Sequence, residues 1–128
     1  MGDVASTFKD LIVWQRAHSF VLSVYRVTGS FPREETYGLA QQFRRAAVSV
    51  PANIAEGFKK QSRLDKLRFL NIAQGSLEEC RYYVILAHDL GYCEDSSLSR
   101  DCDEVSRVLH AYRSAINSDM RRVRDGAA

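Results

Sequence analysis

Three histidines, three cysteines and a run of arginines and lysines are the side chains of this 128-residue chain with the most chemistry to offer. Helical proteins often hold paired metals with Glu-x-x-His motifs, because residues i and i+3 share one helix face. The residues three before His18, His88 and His110 are Gln15, Ile85 and Arg107, so that donor set is missing. His88 and Cys93 are close in sequence, but Gly91 separates them and no second pair completes the four-donor shell that structural zinc requires. The signatures of nucleophile elbows, phosphate loops, dinucleotide-binding turns and zinc proteases are all absent. No catalytic residue, metal or cofactor is expected, and the chain reads as non-enzymatic. Cys80, Cys93 and Cys102 are odd in number and form no C-x-x-C, which points to free thiols in a reducing compartment, the cytoplasm.

Two further groups invite a chemical role. Trp14 and His18 stand one turn apart beside Gln15 and Arg16; they read as a bulky anchor at one end of the fold rather than a pocket wall. Glu56 precedes Gly57 near a helix C-terminus, where a carboxylate is disfavoured. It is expected to pair with Arg44, Arg45 or Arg63.

What remains is charge. The net charge is only +2, but residues 41–68 hold Arg44, Arg45, Lys59, Lys60, Arg63, Lys66 and Arg68 against Glu56 and Asp65, a net of +5. Residues 85–104 hold Asp89, Glu94, Asp95, Asp101, Asp103 and Glu104 against Arg100, a net of −5. The basic set is the candidate nucleic-acid surface. With Phe58 as its only aromatic neighbour, it would contact backbone rather than bases.

Four helical segments must carry these groups. Strand signals are nearly absent, whereas apolar residues recur at helical spacing four times. The first segment opens with a Thr7/Asp10 capping box and carries Leu11, Trp14, His18, Val21, Tyr25 and Thr28 on one face, flanked by Val13, Ala17, Phe20, Val24 and Val27. Gly29 is its expected cap. The second runs from about Glu34 to Glu56 with a stripe of Leu39, Phe43, Ala46, Val50 and Ile54, and Gly57 as its cap. The third starts at Ser62 and repeats Leu70, Ala73, Leu77, Cys80, Val84 and Ala87, widened by Leu67, Phe69, Ile72, Tyr83, Leu86 and Leu90, with Gly91 closing it. The fourth begins near Ser97–Ser99 and carries Val105, Leu109, Tyr112, Ile116 and Met120. Short links between them predict a single all-α domain, an antiparallel up-down-up-down four-helix bundle, with short tails at 1–6 and 122–128. In such a bundle the basic and acidic turns lie at opposite ends. The start, MGDVAS, matches a myristoylation pattern, but a short polar tail is the expected reading. No run approaches the roughly 20 apolar residues of a membrane span.

"RRAAVSVPANIAEG" (44–57) is the most unusual stretch. Pro51 removes one helical hydrogen bond, to the Ala47 carbonyl. The stripe nevertheless stays in phase from Val50 to Ile54, so a helix kinked at Pro51 is expected. Two readings stay open. In one, the kink does no more than curve the helix around the core. In the other, Ala47, Pro51, Ala52 and Ala55 form a small-residue oligomer interface, with Ser49 or Asn53 satisfying the freed carbonyl.

"FKDLIVWQRAH", "GLAQQFRRAAVSVPANIAEGF" and "RFLNIAQGSLEE", in this order and spacing, resemble the four-helix bundle proteins related to those encoded in intervening sequences of bacterial 23S ribosomal RNA genes, once labelled S23 ribosomal proteins. The resemblance implies a small bacterial cytosolic bundle that assembles into a homopentameric ring. It is similar too to accessory factors of reverse transcriptases in diversity-generating retroelements, which implies a basic surface offered to RNA or DNA and to a protein partner. Two functions are thus carried forward: a nucleic-acid-associated accessory oligomer, and an adaptor oligomer that binds only protein.

Overall fold

Each helix is positioned by local signals that a computed structural model of the chain, describing residues 5–94 and 97–124, makes explicit; side chains from 119 onward are outside the described set. Thr7 and Asp10 do form a reciprocal capping box, but around a single 3-10 turn, Phe8–Asp10. Leu11 then passes through an extended conformation and the first helix, α1, spans Ile12–Thr28. The second, α2, spans Leu39–Lys59, the third, α3, Arg63–Asp89, and the fourth, α4, Ser97–Arg124. Each helix packs against its neighbours in sequence, α1 also packs against α4, and no diagonal pair touches among the described residues. This is the closed square of an up-down-up-down bundle. No strand occurs among the described residues.

The helix boundaries differ from the sequence reading in instructive ways. Glu34 and Glu35 lie in a separate 3-10 turn, Arg33–Glu35. Glu35 still serves the helix start, since its Oε1 accepts from Leu39 N at 3.0 Å. Gly57 is not a cap: it is buried inside α2, and Lys60 ends the helix. Gly29 does follow α1 but keeps right-handed helical angles. Gly91 is the one with the left-handed backbone, φ 78°. Around it Tyr92 N donates to Ala87 O and Gly91 N to His88 O, the two bonds of a Schellman motif. Ser62 caps α3 as the spacing predicts, its hydroxyl accepting from Asp65 N.

The core confirms the stripe of α2 in full: Leu39, Phe43, Ala46, Val50 and Ile54 are buried. In α3 Leu70, Ala73, Leu77, Cys80, Tyr83 and Ala87 are buried, while Val84 is half-buried and Ile72 and Leu90 reach the surface. The α1 stripe is rotated from the expected one. Val13, Ala17, Phe20 and Val24 form its centre together with Val21 and Thr28; Leu11 and Trp14 sit at its margin, and Tyr25 and His18 are exposed. Helix α4 adds Leu98 and Cys102 a turn before the expected Val105 and Leu109; Met120, the tails at 1–4 and 125–128, and Asp95 in the acidic run lie outside the described residues or side chains. Trp14 acts as the expected anchor, with Phe8 edge-on at 5.1 Å and His18 stacked at 4.9 Å.

Helix α2 runs unbroken through Pro51. Asn53 does not reach the carbonyl that the proline frees. Its Nδ2 donates instead to Ser49 O at 2.8 Å and Ser49 Oγ at 3.0 Å. Ser76 of α3 joins this group, Oγ to Oγ at 2.8 Å, so a short polar chain stitches α2 to α3.

Buried groups on α3 and α4 hold protons tightly. Burial raises the Cys80 thiol far above its usual value of 9.0, with Cys102 and Glu79 adding to the shift. Burial raises Cys102 to about 11. Burial and then a hydrogen bond to Glu79 raise Tyr83 to about 12. The folded protein keeps these protons where the unfolded chain releases them. Their stabilising contribution is therefore whole below pH about 9, where unfolded thiols begin to ionise, and is lost progressively above it, as pH rises through about 11 for Cys102 and about 12 for Tyr83 and higher still for Cys80. Thermal melts across this range are expected to show a plateau and then a fall; a flat profile to pH 12 contradicts the assignment.

Candidate nucleic-acid interface

The α2–α3 turn places cations at one end of the bundle. Lys59 ends α2, Lys60 caps it, and Arg63 opens α3. Lys59 and Arg63 are exposed, whereas Lys60 is half-buried, its ammonium 5.0 Å above the Phe69 ring. Lys66 is engaged within the fold. Its Nζ donates to Phe58 O at 2.7 Å and lies over the Phe58 ring. It thereby satisfies a carbonyl at the α2 C-terminus, where a cation is favoured. Burial, and then the neighbouring Arg63 charge, lower its pKa. Arg68 pairs with Asp65 at 3.0 Å.

Arg44 and Arg45 do not belong to this cluster. Fifteen residues of helix separate Arg44 from Lys59, about 22 Å at 1.5 Å per residue. A run in sequence becomes two sites at different heights. Arg44 crosses to α1, not to Glu56: Nε donates to Thr28 Oγ1 at 2.7 Å and the guanidinium lies 4.8 Å above the Tyr25 ring. Thr28, buried, donates its own hydroxyl proton to Val24 O at 2.7 Å. Glu56 is exposed.

The proposed small-residue interface is divided as well. Ala47 and Pro51 are buried within the protomer and belong to its own packing, which leaves exposed Ala52 and half-buried Ala55 accessible to a second chain. At the far end the acidic run is partly neutralised internally. Asp103 binds Arg81, Glu104 binds Arg107, and Arg16 of α1 comes within 3.8 Å of Glu104.

A cleft of about 600 Å³ lies on the outer face of α2, lined by Tyr25, Tyr37, Gln41, Arg44, Arg45 and Val48. The hydroxyls of Thr36 and Ser49 complete it, and no carboxylate lines it. Tyr37 is 87% exposed. Glu35 is engaged elsewhere, its Oε2 accepting from Tyr92 OH at 2.9 Å. On the α3 side of Arg45 and Ser49 a smaller groove of about 310 Å³ includes Gln42, Ser76, Glu79 and Tyr83. Sequence reading missed Tyr25, Tyr37 and Gln41 because they come from three elements and share no motif. Among the described residues no three His, Cys, Asp or Glu side chains gather as a metal site, and no helix is long and apolar enough to cross a membrane.

The family model for the 23S rRNA-intervening sequence protein matches residues 9–111, which take in α1, α2, α3 and the first half of α4. The chain belongs to that family. Within the fold of this intervening-sequence protein, the matched span covers the basic turn, the Pro51 stretch and the cleft. A solved protein of unknown function from the S23 ribosomal protein family of Bacteroides thetaiotaomicron has the same fold. It matches with TM-score 0.74 and 24% identity, over 80% of this chain and 96% of that one. No curated protein matches the chain.

Proposed function

We propose that this intervening-sequence family member is a non-enzymatic, homo-oligomeric accessory protein of the cytoplasm that holds RNA or DNA by its backbone. The observation that carries the reading is the α2–α3 turn, where Lys59, Lys60 and Arg63 gather at one bundle end with Lys66 and Arg68 behind them. One such turn makes weak phosphate contact, but copies repeated around a ring act together. Self-association is supported by apolar side chains left on the outside of α3, among them Leu64, Ile72, Tyr82 and Ile85. A cyclic ring closes such a face, and the pentamer of the resembling bundle proteins is the proposed stoichiometry. Ala52 and Ala55 are accessible to that contact.

Fluorescence anisotropy with structured RNA and duplex DNA tests the reading. Affinity is expected to fall steeply with salt and to depend little on sequence. Reversing charge with Lys59→Glu, Lys60→Glu and Arg63→Glu is expected to lower low-salt affinity more than roughly tenfold and the salt slope by about three for each engaged protomer. Arg44, Lys66 and Arg68 are poorer probes because Arg44 and Lys66 hold elements of the fold together and Arg68 is paired with Asp65. Undiminished binding by the triple variant reduces the turn to a solvated surface. Absence of binding by the parent protein favours the adaptor function, with the exposed α3 face as the protein-docking surface.

A further inference from the structure

The basic turn has a lining suited to backbone contact alone, yet the molecule carries a second cationic site with a different lining. Arg44 and Arg45 stand about 22 Å from Lys59 along α2, and both line the 600 Å³ cleft. A volume of this order accepts a small ligand. Two features distinguish it from an ordinary surface dent. First, it brings two guanidinium groups together with two tyrosines and no acid. Second, one half is already rigid: Arg44 is pinned by Thr28 and laid over Tyr25, so its orientation is set before any ligand arrives. Tyr37, which also lines the cleft, is by contrast almost wholly exposed. Large aromatic faces exposed beside fixed cations are costly to leave in water and are what unpaired bases stack upon.

We propose that this cleft seats one unpaired nucleotide of a single strand, its base against the exposed Tyr37 ring, beside the Arg44 guanidinium that covers Tyr25, and its phosphate on Arg45. Gln41 and the hydroxyls of Thr36 and Ser49 then offer hydrogen bonds to the base edge or sugar. The proposal rests on the nucleic-acid reading for its ligand class, but it places the contact at another site and adds a base to it. Nucleotide is favoured over an acidic peptide because the arginines alone would serve a carboxylate, whereas the exposed Tyr37 face matches a planar ring.

The test compares an eight-nucleotide adenine RNA with an abasic ribose-phosphate strand of equal length, at low salt. The parent protein is expected to bind the base-bearing strand roughly tenfold more tightly, the scale of one stacked base. Tyr37→Ala should erase that preference while leaving abasic binding unchanged, and its melting temperature should match the parent because the side chain is so exposed. Arg45→Ala should weaken the base-bearing strand and keep part of the preference. Equal binding of the two strands by the parent, or a preference that survives Tyr37→Ala, overturns the base site and leaves the backbone reading standing. Failure of the parent to bind either strand overturns the base site, and the structured RNA and duplex DNA titrations then decide the backbone reading separately. Displacement of the base-bearing strand by an octaglutamate peptide at equal concentration also overturns it.

Discussion

Replacing Phe43 by alanine is expected to remove about 3–5 kcal/mol of folding stability. Phe43 is fully buried near the middle of the α2 stripe, and its ring lies 5.6 Å from that of Tyr83 on α3. The substitution deletes the transfer free energy of a phenyl ring and leaves a cavity that two adjoining helices cannot both close. Rearrangement is restrained from both sides. Tyr83 is tied through its hydroxyl to Glu79 and Gln42, and Ser49 is tied to Ser76 further along the same seam. A loss of this size is a large part of what holds a domain together, so the variant should be partly unfolded at 37 °C. Urea titrations at several protein concentrations measure it while allowing for any linkage between folding and assembly. A loss below about 1 kcal/mol would show that the α2–α3 seam repacks freely, contrary to a close-packed interior.

Gly57→Leu should also be clearly destabilising, and its comparison with Gly57→Ala is informative. A Cβ at Gly57 would lie 3.1 Å from Phe69 Cβ and 3.4 Å from Lys66 O, where α2 and α3 diverge from their turn. For alanine two effects oppose each other. Helix propensity improves by about 1 kcal/mol, while the contact with Phe69 demands a shift of a few tenths of an ångström. The net change should be small. Leucine has no such relief: its branch must displace Phe69 or the Lys66 backbone, and overpacking of this kind costs about 1–3 kcal/mol or more. It also disturbs the bond from Lys66 Nζ to Phe58 O that finishes α2. Differential scanning calorimetry is expected to rank parent and Gly57→Ala close together and Gly57→Leu well below. If leucine is tolerated like alanine, the helices do not approach here as closely as the geometry states.

The contrast at Gly57 shows where sequence pattern is informative and where it is not. A glycine after a helical stripe reads as a cap, because caps are local. Its real role depends on Phe69 and Lys66, which lie on another helix. The α2 stripe was legible in full because its small and branched residues fall on one clean face. The α1 stripe was misplaced because Trp14 and Tyr25 dominate it by size. Large amphipathic rings sit at the margin of a core with one edge in water, while Ala17, too small to signal anything, is wholly buried. The functional surface was legible only as a string of charge. Folding placed Arg44 and Arg45 a helix-length from Lys59 and gave Arg44 and Lys66 intramolecular partners that no run of letters encodes. The cleft was invisible because its walls meet only in three dimensions.

The square arrangement of helices, each touching two others, has a kinetic side. Three of its seams join helices adjacent in the chain, so each can form as a hairpin after closing only a short loop, at small entropic cost. The fourth seam, α1 on α4, has the whole of α2 and α3 between its halves. It is the contact of highest sequence separation and the one that must wait for the rest of the chain. Arg16 meeting Glu104, beside a groove that Leu11, Ile12 and Val13 line together with Val108 and Tyr112, thus marks the latch that turns three hairpins into a closed bundle. During synthesis α4 follows the other three helices off the ribosome, so an open three-helix form, with the α4-facing side of α1 uncovered, precedes the closed bundle.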